Sequence, residues 1–237
     1  MAWNAQRIEY GKSWSGVAKS AQKRGDQRSA VQRPIGSASK RTVDLLIATS
    51  ALVLLSPLLL IVAIVVKLSD RGPVFYSHTR IGLGGVPFKC LKFRTMKSDA
   101  SAQLSKLLEA NPAAKIEWEA TRKLKSDPRI TVIGEILRES SIDELPQLIN
   151  VVRGEMSLVG PRPITAEELP LYGEHVSSYV AGRPGLTGHW QTSGRNDVSY
   201  QQRVSLDVQY LQNWSLAWDF VIMAKTVPVL FSHRGSY

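Results

Sequence analysis

Cysteine and histidine are scarce in this chain of 237 residues. Cys90 is the only cysteine, so an intrachain disulfide and a multi-cysteine metal site are both excluded. The four histidines are scattered and form no HExxH-like spacing, which argues against zinc catalysis. A single cysteine fits a reducing, cytoplasmic location. The candidates for chemistry are therefore carboxylates, lysines and arginines.

Negative charge is also in short supply, because 20 Asp and Glu face 30 Lys and Arg, a net charge of +10. Residues 1–41 hold nine basic and two acidic residues, so +7 of that excess lies there. Residues 1–39 lack a sustained apolar period, and we interpret them as a mobile basic arm, with an arm that only maintains solubility as the alternative. The charge suits either nucleic acid or the anionic cytoplasmic face of a membrane.

One stretch has no charge at all. Residues 45–66, LLIATSALVLLSPLLLIVAIVV, form an apolar run of 22 residues. As a straight helix the run would measure about 33 Å, sufficient for a hydrocarbon core of about 30 Å. It begins too far from Met1 for a secretory signal, and no cleavage site follows. The run favours a membrane partner and argues against nucleic-acid binding.

Two features of the apolar run favour a re-entrant hairpin over residues 40–71. Ser56 and Pro57 lie in its middle, where proline removes a backbone hydrogen bond and usually bends a helix. Basic residues flank both ends, and the positive-inside bias then places both ends in the cytoplasm. A proline-kinked span is the alternative.

Residues 72–237 are predicted to form a catalytic domain on the cytoplasmic side, in a mostly helical α+β protein with little strand. We predict short strands at 74–76 and 86–93, amphipathic helices within 99–125, a strand or link at 130–133, and helices at 165–180, 200–212 and 215–231. The helices within 99–125 either lie on the bilayer surface or pack on the core. Lys92 and Arg94 are two residues apart on a predicted strand, so both could meet one phosphate; a solvated strand face is the alternative.

The chemistry is concentrated in residues 137–163, LRESSIDELPQLINVVRGEMSLVGPRP. Asp143 and Glu144 are adjacent carboxylates, and Mg²⁺ would neutralise one of them and attract a diphosphate. Arg138 and Arg162 present planar forks that suit phosphate oxygens. Ser141 and Glu144 also match a helix capping box, so the acids have a purely structural interpretation too. Two carboxylates, several arginines and no histidine base favour phosphoryl transfer over acyl transfer.

Five motifs occur in order: KRTVD at 40–44, GPVFY at 72–76, FKCLKFRTM at 88–96, SSIDELPQLINVVRGEMSLVGPRP at 140–163 and RPGLTG at 183–188. Together they resemble the bacterial sugar transferases, the monotopic polyprenyl-phosphate phosphoglycosyl transferases. The resemblance covers residue 40 to about residue 226, and the joint occurrence is specific although no single motif is. The C-terminal half is most similar to exopolysaccharide-priming hexose transferases.

The resemblance implies transfer of a hexose-1-phosphate, with galactose or glucose preferred, from a UDP-sugar to undecaprenyl phosphate with release of UMP. It implies that Asp143 is the nucleophile of a covalent aspartyl intermediate and that Glu144 binds Mg²⁺. Residues expected to contact substrate are Lys92, Arg94, Arg138, Arg162, Arg183 and Asp219.

The resemblance also implies a re-entrant helix bent at Ser56 and Pro57, at the cytoplasmic face of the bacterial inner membrane among anionic lipids. His78 stands where many members have glutamine, so the polar contact there is left open. A membrane-anchored scaffold without catalysis is the alternative function, and nucleic acid is not an expected partner. The choice of sugar, the glycan pathway, the function of the arm and the existence of a homo-oligomer are left open.

Overall fold

The computed structural model describes residues 35–121, 124, 126–193 and 198–231. The predicted basic arm lies outside the described residues except for residues 35–39. Within those, Ile35 donates its backbone N–H to the Ala181 carbonyl at 3.2 Å. The first helix begins at Ser37, three residues before the predicted boundary at residue 40.

The structure is mostly helical with two small sheets, as predicted. In chain order its elements are α1 (Ser37–Asp70), β1 (Phe75–Ile81), β2 (Pro87–Phe93), α2 (Ala100–Ala110), α3 (Pro112–Thr121), α4 (Val132–Glu139), α5 (Gln147–Arg153), β3 (Ser157–Val159), α6 (Val176–Val180), β4 (Gly185–Thr187), α7 (His189–Thr192), α8 (Tyr200–Gln212) and α9 (Leu216–Phe231). Short 3₁₀ helices cover Leu83–Gly85, Ile142–Glu144 and Leu169–His175.

Helix α1 contains the apolar run and, among the described residues, is the only helix long and apolar enough to cross a membrane. The helix is continuous through Pro57, which has no N–H to donate to the Val53 carbonyl four residues earlier. The Ser56 hydroxyl donates to that same carbonyl at 2.8 Å. The serine therefore replaces the hydrogen bond that the proline removes, which explains why the two residues occur together. The re-entrant path stays a prediction.

Both ends of α1 pack on the same folded body. Near its start, Ala48 joins the main core, whose other fully buried members include Val151 and Met156. Near its end, Val62 and Val66 form a second apolar cluster with Phe93 and Leu137. The middle of the helix is largely exposed, and Leu54 retains 81% of its accessible surface.

The two sheets are small and differ in kind. Strands β1 and β2 form an antiparallel hairpin in which Phe75 faces Phe93, and β3 pairs with β4 in parallel. The hairpin confirms the two strands predicted on either side of Gly84 and Gly85, both of which have positive φ angles. Strand β1 is longer than predicted, and β3, β4 and α4 were not anticipated.

The helix predictions are confirmed in part. Helices α2 and α3 are separated at Asn111, and α8 and α9 match the two predicted C-terminal helices. The predicted helix over 165–180 is instead a 3₁₀ helix followed by the short α6. Thr165 and Glu168 still form the reciprocal bonds of a capping box, at 2.8 and 3.3 Å. At 130–133, Ile130 makes one bridge to Met96 and α4 follows at once.

Candidate active site

Asp143 and Glu144 lie on the single 3₁₀ turn that links α4 to α5. The predicted capping box is wrong, because the Ser141 side chain makes no capping hydrogen bond and its backbone is left-handed, with φ of 57°. Ser141 instead ends α4 by donating its N–H to the Arg138 carbonyl at 3.1 Å. Helix α5 begins only at Gln147, so the two acids are not its capping residues.

Lys92 of strand β2 meets both acids of this turn. Its ammonium nitrogen lies 2.6 Å from Glu144 Oε1 and 3.6 Å from Asp143 Oδ2. Lys92 and Glu144 each keep 35% of their side-chain surface exposed, whereas Asp143 keeps 9%. The pair is therefore a surface-accessible ion pair above a nearly buried carboxylate.

Asn150 places this turn against the strand. Its side-chain amide donates to the Lys89 carbonyl at 2.8 Å and accepts from the Leu91 N–H at 3.0 Å. Asn150 is fully buried, and it ties α5 to β2 next to Lys92. Sequence reasoning missed this positioning residue, because a buried asparagine in a helix carries no local signal of its distant partner.

The two acids differ in electrostatics. Burial raises the pKa of Asp143 to about 6; Lys92 opposes this shift and Glu144 adds to it. Burial also opposes ionisation of Glu144, but the charge and hydrogen bond of Lys92 outweigh it and lower the pKa of Glu144. A helix start favours the ionised form of a carboxylate and therefore predicts a lowered pKa for Asp143; that direction is wrong, since burial raises the pKa.

Two of the predicted arginines act electrostatically on the acids of this turn. The positive charge of Arg138 counters the raised pKa of Asp143, and Arg138 Nε donates to Thr95 Oγ1 at 2.9 Å. Arg162, which is exposed, helps to lower the pKa of Glu144. The charges of Lys92, Arg138 and Arg162 therefore all act on the acidic turn, and their contacts with phosphate stay predictions.

Arg94 is placed elsewhere. Strand β2 ends at Phe93, so the alternation that would align Arg94 with Lys92 does not continue. Arg94 is buried and contacts the end of α1, at 3.3 Å from Asp70 Oδ2 and 3.3 Å from the Val66 carbonyl. The two side chains do not converge, and a substrate contact of Arg94 stays a prediction.

Arg183 and Asp219 are held by protein groups. Arg183 Nε donates to the Gly154 carbonyl at 2.9 Å. Asp219 is 2% exposed and accepts from Lys40 Nζ at 2.6 Å, Tyr210 OH at 2.7 Å and Trp214 Nε1 at 3.0 Å. Their substrate roles stay predictions. Asp219 attaches the start of α1 to α8 and α9.

Other contacts of the KRTVD segment were also missed. Arg41 donates to the carbonyls of Val151 at 2.6 Å and Val152 at 2.9 Å, and Asp44 accepts from the Ser157 hydroxyl at 2.8 Å. Lys40 and Asp44 are four residues apart on one helix, a spacing that could have indicated a shared contact face. These residues join the long apolar helix α1 to the segment directly after the acidic turn.

The acidic turn fits a Mg²⁺ ion bound through one or two carboxylates plus substrate phosphates. Asp143 and Glu144 supply hard oxygen ligands, and the single positive charge of Lys92 balances only one of them. Among the described residues, no group of three or more His, Cys, Asp or Glu side chains could hold a metal without such additional ligands. Any ion here would therefore share its coordination with a ligand.

Known proteins are similar in sequence to this chain along most of its length. A family model described as bacterial sugar transferase matches residues 35–233. The exopolysaccharide production protein ExoY of Sinorhizobium fredii is 56% identical over 89% of this chain and 93% of its own length. The undecaprenyl-phosphate galactose phosphotransferase of Salmonella typhimurium is 46% identical over 84% of this chain and 41% of its own length. The UDP-glucose:undecaprenyl-phosphate glucose-1-phosphate transferase of Caulobacter vibrioides is 40% identical over 84% of this chain and 72% of its own length.

Proposed function

The chain belongs to the bacterial sugar transferase family and is a phosphoglycosyl transferase, and we propose that Asp143 carries its reaction. The substrates are a UDP-sugar and undecaprenyl phosphate; the name of the Caulobacter relative contains both, and that of the Salmonella relative contains undecaprenyl phosphate. The product serves exopolysaccharide synthesis, as in the name of the Sinorhizobium relative. The observation that carries this proposal is the nearly buried Asp143 beside the Lys92–Glu144 pair.

In the first half-reaction, an oxygen of the Asp143 carboxylate attacks the β-phosphorus of the UDP-sugar. A new O–P bond forms, and the bond from the β-phosphorus to the bridging oxygen breaks, so UMP leaves with the electron pair. A pKa of about 6 keeps most of Asp143 ionised at pH 7. Burial leaves that carboxylate poorly solvated and therefore a stronger nucleophile than a surface aspartate.

In the second half-reaction, a phosphate oxygen of undecaprenyl phosphate attacks the same phosphorus. The bond to Asp143 breaks and its carboxylate is restored, which gives undecaprenyl-diphosphate-sugar. One site serves both half-reactions because both acceptors attack a single phosphorus in turn.

The cations around the turn have distinct tasks in this scheme. Lys92 lies on Glu144 and close to Asp143, so it reduces the repulsion between the two acids and an incoming diphosphate. Arg138 and Arg162 are the groups that would orient phosphate oxygens, since their planar forks can donate two parallel hydrogen bonds.

Glu144, with Asp143 beside it, is the residue that would hold Mg²⁺. When bound, the ion would supply positive charge to the diphosphate of the substrate. Lys92 Nζ lies 2.6 Å from the Glu144 carboxylate, so it would have to give up part of this contact when the ion binds.

The membrane arrangement is part of the proposal. Lys40 and Asp70 are 30 residues apart, which is about 45 Å along a straight helix. Lys40 nevertheless contacts Asp219 and Asp70 contacts Ser98, and both partners belong to the same folded domain. A straight span would place them on opposite faces of the bilayer. This supports a re-entrant α1 with the domain at the cytoplasmic face of the inner membrane, among anionic lipids. Helix α2, which has no buried residue, would lie on the bilayer surface.

A panel of UDP-sugars with undecaprenyl phosphate tests the activity. We expect UMP release with UDP-galactose or UDP-glucose, and a phospho-sugar adduct on the peptide that contains Asp143 when the lipid is omitted. Release of UMP with the adduct on another residue would overturn the nucleophile. Absence of UMP release with every UDP-sugar would overturn the substrate class.

Accessibility of tags at the two ends of α1 tests the topology. We expect a tag placed before Ser37 and one placed after Asp70 to be protected or labelled together in intact cells. Labelling from opposite sides of the membrane would rule out the re-entrant path.

A further inference from the structure

Two arginines stack on one tryptophan close to the acidic turn. The guanidinium carbons of Arg162 and Arg203 lie 5.5 Å and 4.8 Å from the centre of the Trp190 ring. Within the described part of the chain, neither arginine forms an ion pair with a carboxylate. Two positive groups therefore share one indole without a carboxylate in direct ion-pair contact with either.

A similar stack elsewhere is balanced. Arg129 lies 5.0 Å from the Trp118 ring, and its guanidinium also contacts Asp127 Oδ2 at 2.6 Å. The stack on Trp190 differs in having two guanidinium groups and no acidic partner of this kind. The pKa of Arg203 is lowered, first by burial and then by the charge of Arg162. An anion bound between the two arginines would relieve their mutual repulsion.

Unpaired buried polar atoms occur around the same tryptophan. Five buried side-chain atoms lack a hydrogen-bond partner in the described part of the chain: Trp190 Nε1, Gln191 Oε1, Tyr200 OH, Arg203 Nε and Asp207 Oδ1. All five belong to residues 190–207. Native proteins leave few such atoms unpaired, and those that remain often mark a place where a ligand supplies the partner.

The unpaired atoms are of mixed type. Trp190 Nε1 and Arg203 Nε can only donate, the free oxygen of an ionised Asp207 can only accept, and the Tyr200 hydroxyl can do either. A phosphate offers acceptors and, near neutral pH, only its own P–OH groups as donors, all on one small centre. A nucleotide offers phosphate oxygens together with ribose hydroxyls and base edges that donate and accept. The set, which is spread over five residues, therefore suits a nucleotide better than a phosphate alone.

Arg162 links this cluster to the acidic turn. Its side chain stacks on Trp190, its backbone N–H donates to Asp207 Oδ2 at 3.3 Å, and its charge reaches Glu144. A ligand with its reacting phosphorus at Asp143 and its remaining length over Arg162 would extend towards Arg203.

We propose that Arg162, Trp190, Arg203 and Asp207 form the nucleotide subsite, which binds the uridine monophosphate end of the UDP-sugar and rests on the proposed function for its substrate. When the bond between the β-phosphorus and the bridging oxygen breaks, the leaving monophosphate gains negative charge. Arg203 is placed to neutralise that charge together with Arg162. In this arrangement the nucleotide end of the substrate lies at Trp190, and the phosphate that carries the sugar lies at Asp143.

Binding of UMP to the full chain in lipid nanodiscs tests the subsite directly, without turnover. We expect Arg203→Gln to weaken UMP binding by about tenfold or more, because a charge-assisted bond is lost. Arg203→Lys should recover part of the affinity, since it restores charge without the planar fork. Arg153→Gln removes an exposed arginine from α5 and is the charge-matched control, with UMP affinity expected within about twofold of wild type.

Inorganic phosphate and UMP are the probes, and each result decides. Arg203→Gln should weaken the binding of both, because the guanidinium meets the phosphate of either; UMP affinity within about twofold of wild type overturns the proposal. Wild-type protein should bind UMP about tenfold or more tightly than inorganic phosphate, because the uridine adds contacts, and equal affinities overturn the nucleotide assignment. If Arg203→Gln melts below the assay temperature, Trp190→Phe serves instead. It keeps a ring for stacking and removes the N–H, and unchanged UMP affinity there also overturns the proposal.

The failure of this inference is distinguishable from failure of the proposed function. If wild-type protein releases UMP from a UDP-sugar and Arg203→Gln does so with unchanged KM and kcat, the subsite alone is wrong. If wild-type protein binds UMP through Arg203 but turns over no UDP-sugar, the proposed reaction is wrong and the nucleotide subsite stands.

Discussion

Two lysine–carboxylate pairs in this protein have the same length and opposite surroundings. Lys40 lies 2.6 Å from Asp219 and Lys92 lies 2.6 Å from Glu144. The side chains of the first pair are 9% and 3% exposed, and those of the second are both 35% exposed. Asp219 also accepts from Tyr210 and Trp214. The two pairs therefore do not differ in distance. They differ in burial and in whether the carboxylate oxygens already accept other hydrogen bonds.

The difference indicates what each pair does. A buried charge pair with every oxygen occupied has no capacity left for a ligand, and its loss is felt in folding. A half-open pair beside a carboxylate with a raised pKa can exchange partners, which is what a substrate site requires. The Lys40 pair attaches α1 to α8 and α9, and in the proposed reaction the Lys92 pair is the one that can rearrange when a phosphate approaches Asp143. Four variants test this contrast.

Asp143→Asn should have the largest effect. The amide is close in size but is a poor nucleophile, so we expect UMP release to fall by about 10³-fold or more. The apparent melting temperature in nanodiscs should not fall, because the change removes a buried charge. Turnover near the wild-type value would exclude Asp143 as the nucleophile.

Lys40→Met should act on stability instead. It leaves Asp219 buried without its cation, and we expect the free energy of unfolding to fall by about 3–5 kcal/mol. The double variant Lys40→Met with Asp219→Asn should recover much of this loss, since neither charge remains. Melting curves of both proteins measure it. If Asp219→Asn alone melts like wild type but has lost turnover, Asp219 contacts substrate, as the family resemblance implies, and its structural assignment is wrong.

Glu144→Gln should weaken the use of Mg²⁺. An amide oxygen is a poorer ligand than a carboxylate, so the Mg²⁺ concentration for half-maximal UMP release should rise about 10- to 100-fold. Lys92 would lose its ionic partner, but the pair is partly solvated and the melting temperature should change little. An unchanged metal requirement would remove Glu144 as the ligand.

Lys92→Met should give the smallest effect, a shift of the pH profile. Burial raises the pKa of Asp143 to about 6 and the Lys92 charge lowers it, so removing that charge raises the pKa further. The ionised fraction at neutral pH then falls. We expect the rising limb of kcat/KM for UMP release to move to higher pH, while Lys92→Arg, which keeps the charge, stays near wild type. A shift to lower pH would contradict the electrostatic description of the site.

Parts of the site could be predicted because their signals are local. Asp143 and Glu144 are neighbours in sequence, and Arg138 and Arg162 frame them within one stretch. Lys92 was identified as well, although its partner was not. The protonation behaviour of Asp143 could not be predicted, because it depends on burial by residues from other elements. The capping-box prediction failed for a related reason, since the four-residue pattern did not reveal that Ser141 has a left-handed backbone and that a 3₁₀ turn separates α4 from α5.

The sequence by itself determined the long apolar helix, the Ser56 and Pro57 pair within it, helices α8 and α9, the adjacent acids Asp143 and Glu144, and the family. These depend on periodicity, composition and short motifs, which act within a few residues. Only the tertiary structure decided that Lys92 and Arg94 diverge, that β3 and β4 pair, and that Lys40 meets Asp219 across 179 positions. Strands of three residues carry almost no periodic signal, and an ion pair between distant positions exists only once the chain between them has folded.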